Sequence, residues 1–307
     1  MTKKMKLYIA TAVLILGFTA LFLRLFGSDV PGERVTWVWD LQKLDHDGSL
    51  IRFLHKQNVR TVYLYFDVSQ DDEETKKEYR SFIQSASEAQ IDVHALGGER
   101  HWALTRHHPK MTGFLKEVIA YNASVPAEAR FTGVHLDVEP YLLPEWEKND
   151  KKVIEQWMNM MRKFTALMSE HSLETGVDIP FWLNKYQVPG AHDASLRLDE
   201  WMLRQTDSLA IMSYRDNAEG DNGLIEIVKH EIDAAKKWGK QVYVGVNLAP
   251  DEANHLSFHE EGIAAFKKVE KQVFAEYGHS DAFGGVAVHD LDAWLRMERW
   301  KAKGQRL

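Results

Sequence analysis

The sequence predicts an α/β fold: a (β/α)8 barrel preceded by one N-terminal membrane-spanning helix. Three observations predict it. Short apolar runs rich in β-branched and aromatic residues alternate with longer, charged stretches of helical spacing, and eight rounds can be counted. These rounds fill roughly 270 residues, the size of one closed barrel. No glycine-rich phosphate turn follows the first apolar run in residues 40–47, as a doubly wound open sheet would normally show.

The chain opens with Lys3, Lys4 and Lys6, then an apolar run over residues 7–26 broken only by Thr11, Gly17, Thr19 and Arg24. About 20 such residues suffice to cross a bilayer as a helix. The preceding lysines favour an N-terminus on the cytoplasmic side, and Arg24 can snorkel to the far interface. A cleaved signal peptide is the competing reading, although residues 23–26 are bulky and offer no small-residue cleavage site. The expected organisation is a basic stub over 1–6, a signal-anchor over 7–26, a linker over 27–34 and a barrel over 35–307. Either reading of the apolar run puts the barrel outside the cytoplasm, and the anchor reading ties it to the cell membrane.

The expected strands are 35–40, 61–67, 91–96, 133–139, 176–183, 208–214, 241–247 and 284–289. The fifth is interrupted by Pro180, which cannot donate to a ladder. Helical spacing is clearest over 72–89, 110–121, 150–171, 224–238, 259–277 and 290–301. Met158, Met160, Met161 and Met168 on the long fourth helix suit packing better than a ligand set.

Composition narrows the function. A formal charge of −7 gives no basic face for nucleic acid. With no cysteine there is no disulfide scaffold, thiol nucleophile or cysteine zinc site. No cofactor and no metal are expected. His101, His107, His108, His135 and His289 are dispersed, and the His255–His259 pair lacks the glutamate that a zinc-protease helix places after its first histidine. Ten tryptophans and ten tyrosines fill a core or line a sugar cleft.

The fourth strand carries the chemistry. In residues 131–141 the alternation puts Gly133, His135, Asp137 and Glu139 on one face and Val134, Leu136 and Val138 on the other. Two acids at the last inward positions are costly as mere structure but make sense at the mouth of a barrel. The other strand ends add Trp39, Tyr65, Trp102, Tyr141, Trp182, Asn184, Met212, Tyr214, Asp216, Asn247 and His289. Aromatic faces stack on sugar rings, while acids and amides bind hydroxyls. This mixture suits a polysaccharide or glycan.

These motifs resemble those of family-18 chitinases and their glucosaminidase relatives. The fourth strand is similar to D-x-x-D-x-D-x-E, with Asp137 and Glu139 in the last two acidic positions and Thr132 and His135 in the first two. Residues 211–214 (Ile-Met-Ser-Tyr) look like that family's Met-x-Tyr-Asp, with Arg215 intruding before Asp216. Residues 284–289 look like Gly-Gly-Val-Met-x-Trp, with His289 in the tryptophan position. The resemblance implies a glycoside hydrolase in which Glu139 is the general acid and Asp137 its carboxylate partner, raising the pKa of Glu139. The substrate's own N-acetyl carbonyl attacks the anomeric carbon, and Tyr214 hydrogen-bonds the acetamido group. His135 is placed to donate to Asp137, or is a satisfied core histidine. The rival to an enzyme is a catalytically inactive barrel that binds a glycan or a partner protein.

Overall fold

The computed structural model describes residues 32–44, 48–67, 73–191, 193 and 195–302. The basic stub, the signal-anchor and most of the linker expected from the sequence lie outside the described residues. Among the described residues no helix is long and apolar enough to cross a membrane.

Eight strands close a parallel barrel in sequential order: β1 Arg34–Val38, β2 Val59–Tyr65, β3 Asp92–Gly97, β4 Gly133–Leu136, β5 Glu174–Pro180, β6 Ser208–Met212, β7 Gln241–Asn247 and β8 Phe283–His289. The connections carry α1 Ser49–Lys56, α2 Glu73–Glu88, α3 His108–Ser124, α4 Pro144–Glu170, α5 Leu198–Gln205, α6 Leu224–Trp238 and α7 Ile263–Tyr277, and α8 Leu291–Ala302 follows the last strand. Pro180 is tolerated because it is the last residue of β5, where no further ladder bond is required. The fourth strand is shorter than its alternation suggested. Its ladder ends at Leu136, and residues 137–139 run on past the sheet into the turn Pro140–Leu142. The chain bends within α4 at Asn149, whose φ of −164° is not helical. Asn149 Oδ1 accepts from Lys152 N at 3.0 Å, so its side chain caps the helix that runs on from Asp150.

Two apolar layers follow from the strand period. Val62, Leu64, Val93, Ala95, Val134, Leu136, Val177, Ile179, Val244 and Val246 face the helices and join the large outer core. Val35, Trp37, Tyr63, Leu96, Ala210 and Ala287 form a separate cluster inside the barrel. Arg34, expected in the linker, is instead the first residue of β1. Its guanidinium meets Glu270 of α7 as a buried fork, Nε to Oε1 at 2.5 Å and Nη2 to Oε2 at 2.7 Å. This paired geometry is the one in which a buried charge is best compensated.

The lumen is also built from glycine–histidine steps. His94 of β3 is in register with Gly133 of β4, and His135 of β4 with Gly176 of β5. A methyl added at Gly133 would lie 2.7 Å from His94 Nε2, and one at Gly176 would lie 2.5 Å from His135 Nδ1. Each ring leans over the next strand because no side chain stands there.

Candidate active site

Asp137 and Glu139 leave the carboxyl end of β4 on the lumen side, and both keep partial exposure to solvent. The chain reaches this position past Gly98, where a methyl would fall 1.8 Å from the Asp137 carbonyl oxygen. Asp137 N donates to Gly97 O at 3.0 Å, extending the β3–β4 alignment beyond the strand. Gly97 itself makes room for Phe114 of α3, where an added methyl would lie 2.5 Å from the ring.

Burial pushes the Asp137 carboxyl up to about 8, helped by the negative charges of Asp178 and Glu139. Its Oδ1 is buried without a hydrogen-bond partner. The resemblance placed the retained proton on Glu139; the environment raises Asp137. The phenol of Tyr141 donates to Glu139 Oε2. Burial, then the nearby Glu139 charge, holds that phenol well above its usual range, so it remains a donor. Tyr141 thus bonds to the expected general acid as well as lining the cleft.

Asp178 of β5 is the acid that sequence reasoning missed. It is 3% exposed and accepts on both oxygens: from Trp37 Nε1 at 3.1 Å and from His135 Nε2 at 3.0 Å. Burial raises its pKa well above the usual carboxylate range, and the Trp37 N–H works against that. Burial also lowers His135 well below the imidazole range, so its ring is a neutral donor. His135 therefore serves Asp178 rather than Asp137. The signal was present in the sequence, an acid flanked by Val177 and Ile179 on the inward face of a strand, but it lies below the strand end.

Tyr214, after β6, is held neutral by burial and by the charges of Asp178, Asp137, Glu139 and Asp290, in that order. Its ring lies 5.8 Å from that of His289. His289, in the expected tryptophan position, accepts from Trp39 Nε1 on Nε2 at 3.2 Å. Its Nδ1 lies 3.2 Å from Asn247 Oδ1. These two bonds assign the ring proton to Nδ1, and burial lowers the pKa and keeps the ring uncharged. Both ring nitrogens are occupied, so His289 offers a ligand its ring. Asn247 also bonds Asp251, Nδ2 to Oδ2 at 3.4 Å.

Aromatic residues flank the acids in two groups. Trp39 and Tyr65 have ring centroids 6.2 Å apart and are 37% and 39% exposed. Tyr141 and Trp182 meet edge to face at 4.8 Å, with Trp146 and Tyr186 behind them. Trp102 packs on Phe114 with centroids 5.5 Å apart. Met212 ends β6 in register with Pro180, and Asp216 N donates to His255 O at 3.2 Å. Arg215 packs over Phe181 at 5.0 Å and donates to Tyr214 O at 2.7 Å, bracing that loop. Asn184 points elsewhere: its amide donates to Glu231 of α6 at 3.2 Å. A polar residue at a strand end need not face the mouth when a buried carboxylate beside it lacks a donor.

No protein-family model matches the sequence, and no curated protein matches it. Solved structures do. A spore cortex-lytic enzyme, SleL, from Bacillus megaterium aligns over 87% of this chain and 73% of its own with 13% identity and a TM-score of 0.54. The PgaB (BpsB) glycoside hydrolase domain from Bordetella bronchiseptica aligns over 89% and 98%, with 11% identity and a TM-score of 0.53. A family-18 chitinase from Cycas revoluta, solved as a mutant in complex with (GlcNAc)4, aligns over 85% and 95%, with 13% identity and a TM-score of 0.55. The fold is therefore the (β/α)8 barrel shared by family-18 chitinases and related glycoside hydrolases.

Proposed function

We propose that this chain is a membrane-anchored glycoside hydrolase that cleaves a cell-wall or exopolysaccharide glycan outside the cytoplasm. The observation that carries the reading is the convergence of Glu139, Asp137 and Tyr214 at one solvent-reachable barrel mouth between two aromatic groups. In chemical terms, Glu139 delivers a proton to the glycosidic oxygen as the C1–O bond breaks, aligned by the Tyr141 hydroxyl. If the sugar carries an N-acetyl group, its carbonyl oxygen closes on C1 to give a cyclic cation. Asp137 orients the amide, and Tyr214 donates to the acetamido oxygen. Water then opens the ring, with the Glu139 carboxylate taking its proton. Trp39, Tyr65, Trp102, Tyr141 and Trp182 supply stacking surfaces. Met212, Asp216, Asn247 and His289 line the cleavage point, with His289 forming an uncharged aromatic floor.

The (GlcNAc)4 complex of the Cycas chitinase supports an amino-sugar polymer as substrate. The second reading is an inactive glycan- or partner-binding barrel. It is favoured by Thr132, His135 and His289 at positions where the family motifs carry aspartate, aspartate and tryptophan. The deciding experiment is release of reducing ends from N-acetylated and non-acetylated glycans, with Glu139→Gln as control. Cleavage confined to acetylated glycans supports the substrate-assisted route. Binding without cleavage, unchanged in Glu139→Gln, establishes the second reading.

A further inference from the structure

Asp178 is a buried acid that the proposed reaction does not use. An ionised carboxyl taken out of water is costly unless it is well paired, so its retention inside an apolar strand calls for an explanation. Its setting is rigid. Trp37 and His135 each donate to one of its oxygens, at 3.1 and 3.0 Å. His135 is itself held, with the Tyr63 ring stacked on it at 3.7 Å and Gly176 leaving the space it occupies. Toward the mouth lies Asp137, whose buried Oδ1 has no hydrogen-bond partner.

We propose that Asp178 is a positioning residue for the acid pair: fixed by Trp37 and His135, it sets the orientation and protonation of Asp137, and through Asp137 the orientation of Glu139. The Leu136–Val177 register puts Asp137 beside Asp178 at the ends of neighbouring strands, and two carboxyls so placed disfavour each other's charge. Two N–H donors make Asp178 the better seat for the negative charge, and the unpartnered oxygen makes Asp137 the better seat for the proton. Burial raises both groups, and the charge of Asp178 acts on Asp137 more strongly than that of Glu139 on its own segment. The other titratable groups facing the cluster are His94 from β3, His135 from β4, Tyr63 from β2, Tyr141, Tyr214, His289 at the end of β8 and Asp290 just after it. Burial pushes His135 and His289 toward neutrality and holds the tyrosines protonated, so none of these rings adds a charge beside the shared proton.

The consequence for rate rests on the glycosidase reading, whereas the coupling is a property of the lumen and can be measured without substrate. The test is infrared titration of the full-length protein, following the protonated-carboxyl band that Asp137→Asn removes. In wild type this band is expected to vanish with a midpoint near 8. In Asp178→Asn the midpoint is expected to fall by about one unit or more, the effect of removing one close like charge. A midpoint that stays in place overturns the proposal. If Asp178→Asn does not fold, the reciprocal measurement decides: in Asp137→Asn, where a neutral amide stands in for the protonated Asp137, the Asp178 band must vanish at a lower pH than the Asp137 band does in wild type, and a midpoint at or above it overturns the proposal. The pH–rate profile of glycan release should shift in the same direction in Asp178→Asn, which a purely structural residue would not cause. Absence of cleavage by wild type would sink the glycosidase reading and leave the titration result standing.

Discussion

The Tyr63 ring lies flat against the His135 ring, with centroids 3.7 Å apart and planes 17° from parallel. Tyr63 comes from β2 and His135 from β4, so the contact spans the lumen and sets the floor under Asp178. It exists only because β5 has Gly176 where a side chain would meet the imidazole.

Gly176→Ala should therefore push His135 off Asp178. Overpacking a well-filled interior costs about 1–3 kcal/mol, and loss of the buried hydrogen bond adds to that. Urea unfolding should show a lower midpoint with an unchanged slope. Gly113, inside α3 with open space around it, is the control. Gly113→Ala should stabilise by about 0.5–1 kcal/mol through helix propensity.

Glu139→Gln should lower glycan cleavage by roughly 10²–10⁴-fold, the usual worth of a positioned general acid. Thermal unfolding should be little changed, because the side chain is partly exposed. Retained activity would exclude Glu139 as the acid.

Tyr141→Phe removes the donor to Glu139 and leaves the ring against Trp182. A hydrogen bond to a charged group contributes about 1.5–3 kcal/mol, so kcat should fall about 10- to 100-fold with little change in KM. A change in KM alone would mean that Tyr141 only binds sugar.

Trp39→Ala and Tyr65→Ala should raise KM for a long glycan several-fold, since an aromatic contact contributes about 0.5–1.5 kcal/mol beyond area. Both side chains are more than a third exposed, so denaturation midpoints should barely move. Equal KM values on short and long glycans would remove this pair from the binding surface.

Glu231 and Asp137 are each raised by burial to about 8. A carboxyl whose folded pKa exceeds its unfolded value binds its proton more tightly when folded. Its contribution is full below the ordinary carboxylate pKa and is lost as pH rises toward 8. The melting temperature should fall between about pH 5 and 8. Glu231→Gln keeps an acceptor for Asn184 and removes the charge beside Asp199; its melting curve should be flatter over that range and higher at pH 8. An equal slope in the variant would refute the burial argument at that residue.

The sequence made the barrel legible because strand alternation is local. The runs around Val62, Val134 and Val244 announce their outward faces without reference to one another. Asp137 and Glu139 were legible for the same reason, as acids on the inward face of a strand that Pro140 stops. Asp178 was passed over because it lies inside a strand rather than at its end. Asn184 was misplaced because its partner, Glu231, comes from a helix 47 residues away. His135 faces the lumen by its position in the strand, but whether it served Asp137 or Asp178 depended on which neighbouring strand presented a carboxyl.

By itself the sequence determined the eightfold alternation, the inward face of β4 and the aromatic character of the strand ends. These follow from periodicities of two and 3.6 residues along one chain. Only the tertiary structure decided which acids burial raises, which tautomer His289 adopts and which donor reaches Glu139. Protonation depends on burial and on charges brought close by strand pairing, and neither distance nor solvent access is written in any local stretch of sequence.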